Sequence, residues 1–561
     1  MLTTRLHASA GRAAAGGPPA VPLVFSLALV LILVAGPAGA TTIHVPGNFP
    51  AIQPAIDSAA PGDTVLVSAG TYNGPANRNL NFNGKDIVLL SSGGPAATII
   101  DCEQLGRGIT LTNNETVASH IEGFTIRNAL AIGQAGGALV SEAGATFVNC
   151  VFHANHSDAG SGIWCNQSAL IVTNCTFTDN VGEGQSTYAG YGGGIWVDRL
   201  SRATISNCTF ANNTAKRGAG LWVGGGTVAD VVDCTFTENE SLSWGGGLGS
   251  SAEGTILRVI RSTFTDNLAS SSGGGISLFN TSPEITGCRF IDNTSSSRGG
   301  GMFLSNSDPI ITGSLFAGNL ADESGGGLAA FGSAPTIRST TFHGNSAFQG
   351  GGIYVGTSGG SSAALIERSI IAFGTLGEAV FCEPGSSADL SCSDVFGNAG
   401  GDWVGCLASQ LGQDGNFTQD PLFCNAAGRD FRIATNSPCA PANSPPGCDL
   451  IGAFPAGCDV AGIPGSGVPA AGFWLRVVPN PLFNDGQIEW QNDSASPLVL
   501  KLYDAAGRLV SERDLGTVSA GQHALGWGGA FGSRNLASGV YFLRFEGAAT
   551  RAPAVRVVIT R

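Results

Sequence analysis

Residues 290–319 read FIDNTSSSRGGGMFLSNSDPIITGSLFAGN, and this stretch decides the fold. Phe290 and Asn293 open a unit, Gly299-Gly300-Gly301 mark a turn, Met302 and Leu304 are apolar two residues apart, and Pro309-Ile310-Ile311 give a further apolar run before Phe316 and Asn319 begin the next unit. Alternation with a period of two marks a strand with one buried face. The same Phe-x-x-Asn anchor occurs at Phe152/Asn155, Phe177/Asn180, Phe210/Asn213, Phe236/Asn239, Phe264/Asn267, Phe290/Asn293, Phe316/Asn319 and Phe342/Asn345, and five of the seven spacings are 25 or 26 residues. Each unit therefore holds three short strands separated by Gly, Asn and Ser turns. Strands this short cannot bury their own apolar face, but stacking similar coils about 4.8 Å apart buries a continuous column.

The expected fold is all-β: a right-handed parallel β-helix solenoid followed by a small immunoglobulin-like β-sandwich. An asparagine after the anchor suits a left-handed backbone position and passes amide hydrogen bonds to its counterpart in the next coil. Asn155, Asn180, Asn213, Asn239, Asn267, Asn293, Asn319 and Asn345 are accordingly read as a structural ladder. Two residues before the anchor stand Cys150, Cys175, Cys208, Cys234 and Cys288, replaced elsewhere by Ser262, Ser314 and Thr340, so small size is the shared property. They read as buried thiols in a tight inward position, with disulfides between neighbouring coils as the alternative. Cys382, Cys392, Cys406, Cys424, Cys439, Cys448 and Cys458 lie where the coil pattern decays and read as disulfide-bonded; Cys102 and Cys165 belong to neither group.

Before the repeats, residues 51–60 (AIQPAIDSAA) have helical apolar spacing and would plug the open end of the column. The segment from Ile43 to Asp101 resembles the N-terminal cap of pectin-lyase-like right-handed β-helix proteins. The Phe-x-x-Asn and Gly-Gly-(Ile/Leu) units resemble the repeats of chlamydial polymorphic outer membrane proteins. These resemblances imply the fold rather than an activity, because the fold hosts lyases, hydrolases, adhesins and inert surface fibres.

After residues 449–454 (DLIGAF) a Pro, Gly and Ala linker leads to a new pattern, with Val477-Val478-Pro479-Asn480-Pro481, residues 500–508 (LKLYDAAGR), Trp527 and Ser538-Gly539-Val540-Tyr541-Phe542 alternating as strands and turns. This resembles the C-terminal sorting domain of the type IX secretion system and the related immunoglobulin-like domain of flagellar hook-cap proteins. The chain has Trp527-Gly528-Gly529 where that family usually has Trp-Asp-Gly. The resemblance implies secretion machinery as a partner of this domain. At the other end, Arg5 and Arg12 precede an uncharged apolar run from Leu23 to Ala35 and the small residues Pro37-Ala38-Gly39-Ala40, which predicts signal-peptide cleavage after Ala40. The expected organisation is a signal peptide over 1–40, the β-helix with its cap helix over 41–454, a linker over 455–472 and the sandwich over 473–561. The protein is expected to be secreted or held at the bacterial cell surface, associated with the outer membrane, with no transmembrane span in the mature chain.

The 27 basic residues stand against 41 acidic ones, a net charge of −14 that disfavours nucleic acid as a partner. No nucleophile elbow, Walker loop or zinc spacing is present, and the three lysines, Lys85, Lys216 and Lys501, stand outside any carboxylate cluster. His153 and His343, directly after their anchors, read as solvated strand positions. No catalytic constellation is legible. Two candidate sites are.

The residue before the ladder asparagine is acidic in successive coils at Glu238, Asp266 and Asp292, and stacking would align these carboxylates for calcium, the competing expectation being that an acidic residue simply suits this turn and points to solvent. The residue between the apolar pair after each glycine turn is forced outward by alternation, which places Trp164, Trp196 and Trp222 on consecutive coils as an outward aromatic stripe. The insertion from Gly182 to Tyr191 carries Tyr188 and Tyr191 and would wall one side of it. The function expected from these features is a binding or adhesive fibre directed at a polysaccharide or cell-surface glycan. The alternatives are a polysaccharide lyase or glycoside hydrolase on the same fold, and a purely structural envelope protein. For the stripe itself, the competing expectation is that the insertion packs down on the tryptophans as a cross-coil stabilising ladder.

Overall fold

The computed structural model describes residues 39–131, 135–182, 190–357, 360–458, 474–478, 486–492, 495–504, 508–528, 539–546 and 555–559. Residues 1–38 of the expected signal peptide, most of the expected linker, and Tyr188 lie outside the described residues. Two compact units are present, one reaching residue 460 and the other beginning at residue 461.

The first unit is a right-handed parallel β-helix. The chain winds through a first sheet of 14 strands, a second of 13, a third of 8 that is confined to the middle coils, and a fourth of 12, and returns to the first one coil further on. Pairing is parallel and keeps like residues opposite one another, as in Phe152 with Phe177 and Phe177 with Phe210 on the second sheet. This register follows from the repeat, because any slip would turn the apolar set outward. The eight anchor phenylalanines are buried. From Phe152 to Phe342 their rings stack in sequence with centroids 4.5–5.0 Å apart and planes within 9° of parallel.

The asparagine ladder forms at all eight positions. Asn239 Nδ2 donates to Asn267 Oδ1 at 2.9 Å and to the Phe210 carbonyl at 2.9 Å, while Asn239 Oδ1 accepts from the amide and Nδ2 of Asn213 at 3.1 and 2.9 Å. The left-handed backbone expected at the asparagines belongs instead to the residue before each one: Ala154, Asp179, Asn212, Glu238, Asp266, Asp292, Gly318 and Gly344 all have φ between +51° and +66°. That residue makes the bend, which leaves the asparagine side chain pointing inward along the column. The five repeat cysteines are buried free thiols, as are Cys102 and Cys165. The Cys150 amide lies 3.4 Å from Cys175 Sγ, and the Cys234 amide donates to Ser262 Oγ at 3.2 Å, so thiol and hydroxyl fill the same inward slot.

Both ends of the column are covered. Helix α1 (Ile52–Ser58) turns Ile52, Ala55 and Ile56 onto the first coil, and Leu407 is buried at the far end with Trp403 and Cys406 packed against the same core. Covered ends remove the strand edges that would otherwise template end-to-end pairing.

Stacking on the second sheet stops at residues 394–396, and the following segment folds back along that sheet's outer face. Phe423, Phe431 and Phe454 pack with Ile291, Leu315 and Ala317, and the Gly452 amide bonds the Arg368 carbonyl at 2.8 Å. Disulfides Cys382–Cys406, Cys392–Cys448 and Cys424–Cys458 tie this region together. Cys439 corrects the expectation that all seven late cysteines are bonded: its free thiol faces buried Asp394 at 3.3 Å, and burial pushes the Asp394 carboxyl up to about 7. His343 is likewise not a solvated position, since it lies 5.0–5.5 Å from the rings of Phe373, Phe423 and Phe431 and its pKa is lowered by burial.

The second unit is a small antiparallel sandwich. Strands Trp474–Val478, Gln487–Asn492 and Gly521–Gly526 form one sheet; Leu509–Val518, Ser496–Asp504, Gly539–Glu546 and Val555–Ile559 form the other. Ile488, Trp490, Leu500, Leu502, Trp527 and Leu543 share its core.

Candidate functional site

Between the third and fourth sheets every coil turns on glycine. Gly192 has φ +61°, and a Cβ there would stand 2.2 Å from the Ile195 carbonyl oxygen, so no other residue fits this bend. Gly194, two residues on, admits the Phe210 ring, whose edge would meet a Cβ at 2.7 Å. The bend fixes two columns of side chains. The residue before the first glycine gives one, through Tyr191, Arg217, Trp244, Ser272, Arg298, Ser324 and Gln349, paired coil to coil. The outward residue of the fourth-sheet strand gives the other, through Trp164, Trp196, Trp222, Gly249, Ser277, Phe303, Ala329 and Tyr354.

The three tryptophans stand in register on consecutive strands and point out of the column, but they are not an open stripe. Trp196 is 5% exposed and Trp222 3%, while Trp164 and Tyr191 are half-buried. Trp164 stacks on Trp196 at 5.0 Å; Tyr191 stacks on Trp196 at 5.3 Å and meets Trp222 edge-on at 4.9 Å. The Trp222 ring lies over Gly249 of the next coil, where a Cβ would fall 2.4 Å from it. The Trp222 ring can lie down along the column because the following rung is a glycine. Phe331 over Gly356 repeats the arrangement.

Arginines complete the face. Arg217 donates to the Tyr191 hydroxyl and spans two rings, 5.1 Å from the centroid of Tyr191 and 4.3 Å from that of Trp244. Arg298 lies 4.7 Å over Phe331. Aromatic contact then continues through Phe279, Phe303, Phe331, Tyr354 and Phe381. Arg217, Trp244 and Arg298 were not singled out from the sequence, although a signal was there: each directly precedes a glycine turn, in the position Tyr191 holds.

Eight buried side-chain polar atoms lack a hydrogen-bond partner among the described residues, and five of them lie on this face: Nε1 of Trp164 and Trp196, Oδ1 of Asn166, Nε of Arg217 and Oγ of Ser277. Buried polar groups are nearly always paired in folded proteins, so such a concentration marks where a polar partner is to be sought.

The acidic row behaves differently. Glu238, Asp266 and Asp292 keep the common left-handed backbone, but the returning C-terminal segment brings Arg429 onto Asp292, forming an ion pair across 137 residues of sequence. Among the described residues no three His, Cys, Asp or Glu side chains converge as a cation site would require, so the expected calcium row is not gathered into one. Other outward charges are spent between neighbouring coils, as in Arg258 with Asp230, Arg261 with Asp233 and Arg338 with Glu367. Among the described residues no helix is long and apolar enough to cross a membrane.

Residues 86–267 and 248–417 match the family described as right handed beta helix region, and residues 480–550 match the FlgD Ig-like domain. No curated protein matches the chain. Among solved structures it is similar to pectate lyase Pel9A, at 14% identity over 74% of this chain and 96% of that one, with a TM-score of 0.30. A mannuronic acid specific polysaccharide family 6 lyase from human gut microbiota is 11% identical over 63% of this chain and 86% of its own, with a TM-score of 0.34. The enzymatically active domain of Bacteriophage CBA120 tailspike protein 4 is 10% identical over 89% and 63%, with a TM-score of 0.24.

Proposed function

The chain belongs to the right handed beta helix family, and from that premise we propose that it is a secreted or cell-surface binding protein whose glycine-turn face contacts a glycan. The observation that carries this reading is the clustering, on one face, of aromatic rings with N–H and oxygen groups that have no hydrogen-bond partner among the described residues. Sugars present both an apolar ring face and a rim of hydroxyls, and a surface that binds them pairs aromatic faces with a few fixed polar groups. The accessible parts of this face at its N-terminal end are Trp164 and Tyr191, with Trp196 and Trp222 holding them in place from beneath.

In this reading the C-terminal sandwich is the export and anchoring module that engages the secretion machinery, and residues 1–40 are removed as a signal peptide. The resemblance to type IX sorting domains supports the first role, and the apolar run before Ala40 supports the second. Binding of the mature protein to a glycan array, with uronic acid release followed in parallel, tests the central claim. Retention on a defined glycan class is expected, reduced by Trp164→Ala and Tyr191→Ala with circular dichroism unchanged. Release of unsaturated uronic acid would replace binding by cleavage, and a blank array would remove the glycan reading.

A further inference from the structure

At the other end of the same face lies a cavity of about 350 Å³ that the tryptophan stripe does not reach. Its apolar wall is made by Phe331 and Tyr354, and at its mouth Phe348 leaves 72% of its surface in solvent, the largest exposure of any described phenylalanine. A ring so placed packs little within the fold and, lining the cavity, has its face available for stacking. The polar wall is acidic. Asp322, Glu323 and Glu383 line the cavity against the single guanidinium of Arg298.

These carboxylates are not equivalent. Glu383 is fully engaged: it accepts from the Tyr354 hydroxyl and from the amide and Oγ1 of Thr357 at 2.7 and 2.6 Å, and these hydrogen bonds hold its carboxyl below the usual range. It positions Tyr354. Glu323 takes one hydrogen bond from Ser297 Oγ at 2.7 Å and faces Arg298 Nε at 3.5 Å, with 60% of its side chain exposed. Asp322 is exposed beside it. Arg298 is itself a cation held between an aromatic face and a carboxylate, so the cavity already binds a cation in its own wall. Its remaining acceptor capacity favours a second positive or hydroxyl-bearing group and repels a carboxylate.

We propose that this cavity is a subsite for a sugar ring carrying a free amine, stacked on Phe348 with its ammonium and hydroxyls facing Asp322 and Glu323. The proposal rests on the glycan-contact reading and adds the selection against uronic acids. Calorimetry of the full chain with a glucosamine tetramer, its N-acetylated counterpart and a galacturonate tetramer tests it. The glucosamine tetramer is expected to bind about tenfold more tightly than the acetylated one, which lacks the charge, and the galacturonate tetramer to give no heat. Phe348→Ala should weaken glucosamine binding roughly tenfold, and the Asp322→Asn/Glu323→Gln double variant should abolish the preference for the amine, both with unchanged thermal unfolding. Equal binding of galacturonate, or glucosamine binding indifferent to both variants, overturns this subsite and leaves the glycan reading standing. Silence from all three oligosaccharides together with a blank array overturns both.

Discussion

Inside the column, seven successive ring pairs from Phe152 to Phe342 stack with planes within 9° of parallel. Outside, on the glycine-turn face of the column, contacts between Trp164 and Phe381 range from stacked at 8° to edge-on at 63°, and the fourth-sheet row is broken by Gly249, Ser277 and Ala329. Both regions share one rise per coil, so the backbone does not set the difference. The interior must fill a tube of constant cross-section, and the residue that fits one rung fits the next. The exterior is free of that demand. Its rings tilt, interleave with cations and lie on small neighbours, an arrangement specific to each rung and therefore able to carry recognition.

The sharpest way to break the comparison is at the ladder. Asn239→Ala removes four side-chain hydrogen bonds and leaves the Asn213 amide without its partner in the core, for an expected loss of ~4 to 6 kcal/mol in chemical denaturation. Phe236→Ala, a cavity in the same tube, is expected to cost ~3 to 5 kcal/mol by the same measurement. On the outer face Gly249→Ala should cost less, ~1 to 3 kcal/mol, because Trp222 has solvent to move into. Its diagnostic readout is a red-shifted tryptophan emission as the indole lifts from the surface. Arg258→Ala breaks an exposed cross-coil pair with Asp230 and should change stability by less than ~1 kcal/mol. If Gly249→Ala matched Asn239→Ala in cost, the outer face would be part of the core and the distinction between the regions would fail.

The same contrast explains what could be read in the sequence. The Phe-x-x-Asn repeat, the inward thiols and the capping helix were legible because each coil restates its neighbour, and stacking converts that restatement directly into contacts. Which residue bends left-handed was not, since Asn and Asp both suit that backbone and two candidates stand side by side. Alternation correctly sends Trp196 and Trp222 outward, yet it is silent on their burial, which depends on Gly249 one rung later and on Tyr191 one rung earlier. The pairing of Asp292 with Arg429 lay beyond any local pattern, because it follows from a segment that reverses direction and returns along the second sheet. Disulfide partners were equally hidden, since seven cysteines in a loop-rich region admit many connectivities.

The three disulfides lie between residues 382 and 458, whereas every cysteine in the repeats is a free thiol. The β-helix unit consequently has a chemical polarity that its repeating backbone lacks. A reductant acts on one terminus only, loosening the returned segment and uncovering the second sheet near Ile291 and Leu315. The remaining coils have no covalent staple to lose and are held rung by rung through non-covalent contacts. Stacking of the coils before residue 382 therefore rests on no sulfur–sulfur bond.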